Sequence, residues 1–474
     1  MTTPFSSSAR LVSEFDLLAS NRHKWVKRLG YYHDEVARYL RFIIPEGSSV
    51  VEIGCGIGQL LNAVKPSKGL GIDFSPAMIQ QASRTFPHLE FRVDNVEGLK
   101  ETGQFDYVII SDLLGYLYDI ESSLKNVQRL CHPRTRVVIT YHNFLWEPLI
   151  ASLKILKCAS PQPLSNWLSP IDVENFLELS GFEVVRRANR MVWPFRLPLV
   201  AGFLNRTLPH LPFISALGLF RVVVVRPKPQ PFPNPLSVSV VVPCRNEKGN
   251  IENVVRRTPQ LGAGTEIIFV EGGSTDGTEA EIKRVMALYS DRKLKFVSQG
   301  DGKGKADAVR KGFNVATGEM LMILDADLTV PPEELPRFYD ALVSRHGEFI
   351  NGSRLVYPLQ KQSMRFLNIL GNKGFSLIFT YLLGQRFKDT LCGTKVLLRT
   401  DWDKIMSGRS YFGDFDPFGD FDMIFGAAKL NLKIVEVPVH YQDRTYGTTN
   451  IQRFTHGWIL LRMSFFALRK IKLI

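Results

Sequence analysis

The stretch LMILDADLTVPPEEL (321–335) decides the fold of the second half of the chain. Its first four residues are apolar and predict a buried strand, and two carboxylates follow with one alanine between them. Alternate residues of an extended segment share one face, so Asp325 and Asp327 are expected to point the same way. Carboxylates this close repel each other unless a cation or a pKa shift neutralises one of them. A shared divalent cation is therefore the hypothesis that this stretch favours, although two acids before PPEEL also fit a plain helix cap.

The composition is that of a folded protein with an affinity for anions. The 474 residues are enough for two or three domains, and 45% of them are hydrophobic. The net charge of +13 favours nucleic acid, nucleotide phosphates or an acidic membrane surface. Five scattered cysteines indicate free thiols in a reducing compartment. Without a secretory signal or an apolar run of about 18 residues, we expect a cytoplasmic protein.

A proline-rich segment, RPKPQPFPNPL (226–236), separates two halves of the chain and predicts a stiff extended linker. On both sides short β-branched runs alternate with longer helical patterns, which predicts parallel sheets with helical crossovers. The predicted organisation is α/β, with a first domain at 1–226, a linker at 227–236, a second domain at 237–455 and an amphipathic helix at 456–474.

Strands are predicted throughout both domains from short β-rich runs. In the first domain they are 49–54, 69–73, 90–94, 105–111 and 136–142, with a closing antiparallel pair at 182–187 and 220–226. In the second domain they are 237–243, 266–272, 294–299, 320–327, 348–354 and 432–441.

Glycines and acids at successive strand ends predict a nucleotide pocket in the first domain. VVEIGCGIG ends a strand with Glu52 and continues with Gly54, Gly56 and Gly58, a spacing that lets the backbone turn tightly towards a ligand. The next strand ends in Asp73, a carboxylate suited to two ribose hydroxyls. The third strand ends at VDN, where Asp94 and Asn95 would meet an adenine amino group.

Residues 50–143 resemble class I S-adenosylmethionine-dependent methyltransferases, through VVEIGCGIG, DFSPAMI and FDYVIISDLLGYLYD. A dinucleotide dehydrogenase is the competing interpretation. The resemblance implies a Rossmann-like fold and S-adenosylmethionine as the cofactor. It implies that Glu52 holds the methionine amino group, Asp73 the ribose, and Asp94 with Asn95 the adenine.

Methyl transfer from a sulfonium needs mainly alignment of the acceptor with the methyl carbon. Tyr31, Tyr32 and His33 are candidates for a lid, and His142, just past the fifth strand, is a candidate general base. No residue identifies the acceptor, and the domain could also bind S-adenosylmethionine as a regulatory ligand only.

The second domain opens with SVSVVVPCRNE, a strand that stops at Pro243 and presents Arg245 and Glu247. The tight loop EGGSTDGT follows the next strand, and DGKGKADAVRKGF places Lys303 at a glycine-rich helix entry that favours phosphate. Arg310 on the same helix is expected on a solvated face.

Residues 237–449 resemble family 2 glycosyltransferases of the GT-A fold, and most closely the dolichol- or polyprenyl-phosphate sugar transferases. The resemblance implies a nucleotide-sugar donor, Mg²⁺ or Mn²⁺, and inversion at the anomeric carbon. Its implied site residues are Pro243, Arg245 and Glu247 at the nucleoside, Asp325 near the nucleoside and metal, and Asp327 as metal ligand. One departure is Glu271 followed by Gly272, where the family commonly has two acids, which leaves UDP and GDP donors open.

Basic and apolar residues interleave between Arg354 and Lys388 without any acid. This pattern predicts contact with anionic lipid and a lipid-phosphate acceptor, as does the terminal WILLRMSFFALRKIKLI, expected to lie on the membrane surface. A phosphate is already ionised and can attack without a base, whereas a hydroxyl acceptor needs one. The candidate bases are Asp420 and Asp422, and the candidate phosphate ligands are Arg354, Arg365 and Arg444.

The sequence therefore predicts a bifunctional enzyme on the cytoplasmic face of a membrane: a methyltransferase fused to a glycosyltransferase that serves lipid-linked glycan synthesis. The alternatives are a glycosyltransferase that acts on a glycan or protein hydroxyl, and a nucleic-acid binder. We expect no nucleic-acid partner, because the basic residues are not interleaved with an RNA-reading aromatic motif.

Overall fold

The computed structural model describes residues 4–155, 165–197, 200–211, 213–302, 304–357, 366–411, 420–447 and 453–473. The chain forms two compact units. The first ends at Lys228 and also takes in the last residues from Lys472, and the second runs from Pro229 to Ile471. Each unit is built on its own sheet, and the two are described separately.

The first unit contains, within its described residues, a seven-stranded sheet of order β3-β2-β1-β4-β5-β7-β6. The strands are β1 Ser49–Ile53, β2 Lys68–Asp73, β3 Glu90–Val93, β4 Phe105–Ser111, β5 Cys131–His142, β6 Phe182–Arg190 and β7 Phe220–Pro227. The α-helices are α1 Pro4–Arg28, α2 Gly30–Ile43, α3 Gln59–Ala63, α4 Pro76–Thr85, α5 Ile120–Gln128, α6 Glu147–Ile155, α7 Pro170–Leu179 and α8 Val200–Thr207.

Strand direction in this sheet confirms the predicted fold class. β1 pairs in parallel with β2 and β4, and β7 inserts antiparallel between β5 and β6. The antiparallel pair expected at 182–187 and 220–226 is thus confirmed. The carboxyl ends of the parallel strands meet at one edge of the sheet, which is where ligands of open α/β folds bind. That edge carries Glu52, Asp73 and His142.

The second unit contains, within its described residues, a seven-stranded sheet of order β10-β9-β8-β11-β13-β12-β14. The strands are β8 Val238–Cys244, β9 Thr265–Glu271, β10 Lys293–Ser298, β11 Met320–Ile323, β12 Phe349–Ser353, β13 Lys395–Leu398 and β14 Ile434–Pro438. The α-helices are α9 Ile251–Arg257, α10 Thr278–Leu288, α11 Gly304–Val315, α12 Leu335–Val343, α13 Phe366–Leu383, α14 Arg399–Ser407, α15 Asp420–Lys429 and α16 Arg453–Ala467, which continues as a π-helical turn, Leu468–Lys472.

Two features of this sheet differ from the prediction. β13 pairs antiparallel with both β11 and β12 and was missed, because four residues carry too little periodicity to be recognised. The strand expected at 320–327 ends at Ile323, so Asp325 and Asp327 lie in the loop beyond it. Leaving the strand early lets each carboxylate find a partner of its own. Among the described residues, no helix has both the length and the apolarity to cross a bilayer.

Candidate functional sites

A cavity of about 310 Å³ lies at the carboxyl edge of the first sheet. Its lining includes Glu52 near the end of β1, Asp73 at the end of β2 and His142 at the end of β5. Ser75 fixes the chain just past β2, since its hydroxyl accepts a hydrogen bond from Met78 N and starts α4 immediately behind Asp73. The cavity therefore collects three of the residues proposed from sequence.

Asp73 organises the glycine loop. Its carboxylate accepts hydrogen bonds from the backbone nitrogens of Gly56, at 2.8 Å, and Ser75, at 2.9 Å. The loop needs glycine: Gly54, Gly56 and Gly58 all have positive φ, and a Cβ at Gly58 would lie 2.6 Å from the Phe91 ring. Gly54 and Gly56 line the cavity, whereas Gly58 supports it from behind.

Glu52 is a buried carboxyl group with a single described backbone donor. It is 2% exposed and accepts a hydrogen bond from Leu61 N at 2.9 Å. Burial raises its pKa to about 8, so the free protein holds it largely protonated at neutral pH. A cationic group that enters the cavity would favour the ionised form.

Asp94 and Asn95 are not among the residues that line the cavity. The Asp94 carboxylate accepts hydrogen bonds from Asn95 N and Lys100 N, both at 2.9 Å, and the Asn95 side chain caps a short helix through Glu97 N. In the described structure these two residues shape the loop after β3, and their contact with adenine remains a prediction.

Asp112 and Arg22 are not among the predicted site residues, because no local motif marks them, yet both line the cavity. Asp112, just past β4, has φ of 51° and lies 3.5 Å through Oδ1 from His142 Nδ1, while its Oδ2 accepts a 2.7 Å hydrogen bond from the Tyr32 hydroxyl. Burial lowers the pKa of Arg22, and Asp112 and Asp73 oppose that shift.

The predicted lid is only partly assembled around the cavity. Tyr32 and His33 line it, and burial lowers the pKa of His33 to about 4. Tyr31 instead accepts a hydrogen bond from Asn205 Nδ2 at 3.1 Å and is not part of the lining.

The candidate site of the second unit begins with two loops that are tied together. Asn246, after β8, donates from its backbone to Ser274 Oγ at 2.9 Å and accepts from Thr275 N through its side chain, also at 2.9 Å. Glu271, which is 4% exposed, accepts hydrogen bonds from Gly273 N and Ser274 N and so holds the glycine loop from below. Pro243, the next-to-last residue of β8, is half-buried. Arg245, the first residue after this strand, is exposed.

Asp325 and Asp327 are each held by a different cation. Asp325 lies 2.5 Å from Lys305 Nζ, and Asp327 accepts a 2.5 Å hydrogen bond from Arg444. Arg444 also donates to Glu247 at 3.0 Å. Burial alone would raise the pKa of Asp325, but the ammonium group of Lys305 outweighs it and holds that pKa below its ordinary value.

These residues fit a divalent cation that takes most of its ligands from elsewhere. Among the described residues there is no group of three or more metal-ligating side chains. Mg²⁺ is usually bound by one or two carboxylates together with water and substrate phosphates. Asp327 suits that role, because its carboxylate already binds one positive group, the guanidinium of Arg444.

The segment that carries Arg444 lies over both loops. Gln442 N donates to Thr329 O at 2.8 Å, and the Tyr446 hydroxyl donates to Asp276 at 3.2 Å. A Cβ at Gly249 would lie 2.5 Å from the Tyr446 ring, so this close packing requires glycine. Residues 442–447 thereby pack against the loops that carry Gly249, Asp276 and Thr329.

Several predicted residues lie elsewhere or cannot be placed. Arg354 is committed to Asp389, which is fully buried, through hydrogen bonds of 2.7 and 2.8 Å. Asp422 accepts from Arg409 at 3.0 Å and lies 3.8 Å from Arg310, in a cluster that includes neither Asp325 nor Asp327. Outside the described residues are Lys303, Arg365 and the side chain of Asp420.

Two helices of the second unit expose large apolar side chains. α13 packs against α16. Their exposed apolar residues are Leu377, Tyr381, Trp458, Leu461 and Phe465, and Lys373, Arg462 and Arg469 are exposed on the same two helices or just beyond. Lys472, expected on the charged side of the terminal helix, is buried instead.

Two protein-family models match the chain. A methyltransferase domain matches residues 24–187, and glycosyl transferase family 2 matches residues 239–400.

Among individual relatives, the dolichol-phosphate mannosyltransferase of Pyrococcus furiosus is 30% identical over 46% of this chain and 60% of its own length. The undecaprenyl-phosphate 4-deoxy-4-formamido-L-arabinose transferase of Salmonella paratyphi B is 27% identical over 44% of this chain and 61% of its own length. The chain thus spans about three fifths of these two curated relatives. Among solved structures, the putative methyltransferase in complex with the Trm112 activator of Haloferax volcanii has 20% identity and a TM-score of 0.36, over 46% of this chain and 98% of that one.

The two family matches fall on the two sheets described above, each on the unit whose strand-end residues suggested it. They bear out the expected pairing of a Rossmann-like and a GT-A α/β domain. The chain joins a methyltransferase domain to a family 2 glycosyltransferase domain.

Proposed function

We propose that the second unit transfers a sugar from a nucleotide-sugar donor to a polyprenyl-phosphate-type lipid, with a divalent metal and inversion at the anomeric carbon. The observation that carries the proposal is the arrangement of Glu247, Arg444 and Asp327 beside the Asp325–Lys305 pair. Carboxylates and cations lie side by side there at the carboxyl edge of the sheet. The carboxylates suit a divalent metal, and the cations suit the phosphates of a diphosphate.

In this proposal Asp327, assisted by Asp325, holds Mg²⁺ or Mn²⁺ against the donor diphosphate. The metal would stabilise the negative charge that develops on the departing nucleoside diphosphate. Lys305 pairs with Asp325, and Arg444, which now pairs with Asp327 and Glu247, would also bind phosphate oxygens, since a guanidinium binds carboxylates and phosphates alike. Pro243, Arg245, Glu247 and Glu271 border the nucleoside.

A phosphate acceptor fits the surroundings of Asp422. A hydroxyl acceptor requires a general base near the anomeric carbon, whereas an ionised phosphate does not. The Asp422 carboxylate is occupied by Arg409 and has Arg310 nearby. The proposed reaction therefore uses no side-chain base. The names of the curated relatives, both of which are lipid-phosphate sugar transferases, support the same acceptor class.

The exposed apolar side chains of α13 and α16 supply the proposed membrane contact. Trp458, Leu461 and Phe465 are spaced at i, i+3 and i+7, so they project from one side of α16, and they are 70%, 48% and 61% exposed. Arg462 and Arg469 lie between and beyond them. Apolar side chains beside exposed cations suit a helix that lies on anionic lipid.

For the first unit we propose methyl transfer from S-adenosylmethionine. Gly54 and Gly56 allow close backbone approach, Asp73 holds their loop, and Glu52 supplies a buried carboxylate for the methionine amino group. Two activities in one chain suggest one pathway of lipid-linked glycan synthesis.

Donor profiling tests the sugar transfer. The full chain is incubated with Mn²⁺, a polyprenyl phosphate and a panel of UDP- and GDP-sugars, and lipid extracts are analysed by mass spectrometry. We expect one glycolipid whose formation stops when EDTA is added. A parallel incubation replaces the polyprenyl phosphate with the corresponding polyprenol, and glycoside formation there with no glycosyl phosphate in the first incubation would contradict the proposal.

A further inference from the structure

The cavity of the first unit is lined in one part by the proposed donor-binding residues and in another part mainly by apolar side chains. The glycine loop, Glu52 and Asp73 occupy one part of the lining. The other part comes from the turn before α6, from α6 itself and from two loops. Its apolar members are Trp146, Leu149, Ile150, Leu153, Trp167, Leu168, Pro194 and Phe195.

Asp112 and His142 connect these two parts. A Cβ on Gly54 would lie 3.0 Å from a methyl group of Leu113, so the glycine loop abuts the residue that follows Asp112. On the other side, the ring of His142 meets Trp167 edge-on with centroids 6.1 Å apart. A molecule seated against the apolar wall would thus reach His142 next to the donor.

The contacts of His142 leave one nitrogen for chemistry. Nδ1 faces Asp112 Oδ1 at 3.5 Å, which favours the tautomer with its proton on Nδ1 and a lone pair on Nε2. The imidazole stacks on Tyr32, with centroids 5.6 Å apart and an angle of 14°, and the Tyr32 hydroxyl donates to the other oxygen of Asp112 at 2.7 Å. Arg22, His33 and Tyr116 are the other charged or titratable groups that face this pair.

We propose that the first unit methylates the hydroxyl oxygen of an apolar acceptor, a phenol or alcohol carried on a ring system or hydrocarbon chain. The inference rests on the methyl transfer proposed above and names its acceptor class. His142 is the catalytic base, and Asp112 and Tyr32 are positioning residues. Lys154, Ser165 and Asn166 are polar members of the same part of the lining. They are too few to pair the many hydroxyls of a nucleotide sugar, and a buried hydroxyl without a hydrogen-bond partner is unfavourable.

The proposed step is a single displacement. The acceptor proton passes to Nε2 of His142, and the acceptor oxygen forms a bond to the methyl carbon. The carbon–sulfur bond of the donor breaks, and its electron pair remains on sulfur, which becomes a neutral thioether. The proton on the imidazolium is then released to solvent, and Asp112 stabilises the charge while it is present.

Methyl transfer to simple probes tests the acceptor class. The full chain is given tritiated S-adenosylmethionine with 4-octylphenol, with farnesol, or with UDP-glucose. We expect a methyl ether from at least one apolar probe and none from the nucleotide sugar. His142→Gln should lower kcat by about 100-fold or more, the usual contribution of a general base. The Kd of His142→Gln for S-adenosylhomocysteine, measured by calorimetry, should stay within about twofold of the parent value, because His142 is proposed to act on the acceptor and not on the donor.

Two further measurements separate chemistry from structure. The hydroxyl of 4-octylphenol ionises near pH 10, as about 10 is the pKa of a phenol such as tyrosine. The rate of His142→Gln with this probe should therefore climb with pH towards that of the parent. Trp146→Ala should raise KM for 4-octylphenol while calorimetric binding of S-adenosylhomocysteine is retained.

The outcomes distinguish the inference from the function on which it rests. Failure of the parent chain to bind S-adenosylhomocysteine would overturn both. Binding with methylation of UDP-glucose alone, or an unchanged rate of His142→Gln at neutral pH, would overturn the acceptor class and the base while leaving methyl transfer in place.

Discussion

Arg444 donates a 2.5 Å hydrogen bond to Asp327, the carboxylate best placed to bind a metal. If Asp327 binds the metal as proposed, we expect the arginine to compete with the metal when no donor is bound and to bind the phosphates of the donor when it is. Arg444→Gln should strengthen Mn²⁺ binding without nucleotide by about tenfold or more, since a charge-assisted hydrogen bond contributes about 1.5–3 kcal/mol and 1.4 kcal/mol is tenfold. The same variant should lose sugar transfer.

Calorimetric titration with Mn²⁺, alone and with UDP, measures this reversal. Arg409→Gln is the matched control, because its partner Asp422 lies outside the cluster. Equal Mn²⁺ affinity in the parent and Arg444→Gln chains would show that the arginine does not guard the metal position.

The two acids of the DAD motif should contribute unequally to metal binding. Asp327→Asn should weaken Mn²⁺ binding in the presence of UDP by about tenfold or more, since it removes a negatively charged ligand. Asp325→Asn should have a smaller effect, because Lys305 already neutralises that carboxylate. Electron paramagnetic resonance of free Mn²⁺ gives both affinities. Equal losses would indicate that both carboxylates bind the ion directly.

Glu52 should make the first unit less stable as pH rises. Its pKa is raised to about 8 in the folded protein, so above pH 4.5 the unfolded chain loses a proton that the folded chain retains. Stability is therefore lost between about pH 4.5 and 8, by the linkage between proton binding and folding. Glu52→Gln keeps an oxygen for Leu61 N and should flatten this dependence. Urea unfolding at pH 5 and pH 8.5 measures the free energy of unfolding of the parent and of Glu52→Gln. An equal loss of this free energy between the two pH values in both chains would contradict the prediction.

The Arg354–Asp389 pair should matter for stability. Burial opposes ionisation of Asp389, but Arg354 lowers its pKa to about 2, so its contribution is lost only as pH falls below about 4. Asp389→Asn leaves a buried guanidinium without its counter-charge and should cost about 3–5 kcal/mol. Glu279→Gln, which breaks an exposed pair with Lys283, is the control and should cost about 0.5 kcal/mol or less. Thermal unfolding distinguishes them, and similar melting temperatures would refute the assignment.

Asp422 separates the two acceptor classes. In the proposed mechanism no base is needed, so Asp422→Asn should keep turnover within about threefold, less than the 1.4 kcal/mol that tenfold would represent. Complete loss of turnover with intact UDP binding would favour a hydroxyl acceptor. Rate measurements with saturating donor give the result.

Residues that follow or end strands could be predicted from the sequence, whereas the partners of individual side chains could not. Glu52, Asp73 and Asp327 could be placed from local pattern alone, because a strand followed by a glycine or an acid is a local signal. Asp112 could not, since its partner Tyr32 is 80 residues away in the chain. Arg354 is predicted to be available to phosphate, because a stretch without acids offers it no nearby counter-charge. Asp389, just beyond that stretch, accepts its hydrogen bond instead.

The small size of Gly393 allows the Asp325–Lys305 ion pair of the candidate site to lie close to the backbone. Gly393, just before β13, has no side chain, and a methyl group there would overlap both the Asp325 carboxylate and the Lys305 ammonium. The missing atom is what lets this ion pair sit against the main chain. A larger side chain at position 393 would have to displace this pair, so the backbone just before β13 determines where Asp325 and Lys305 can lie.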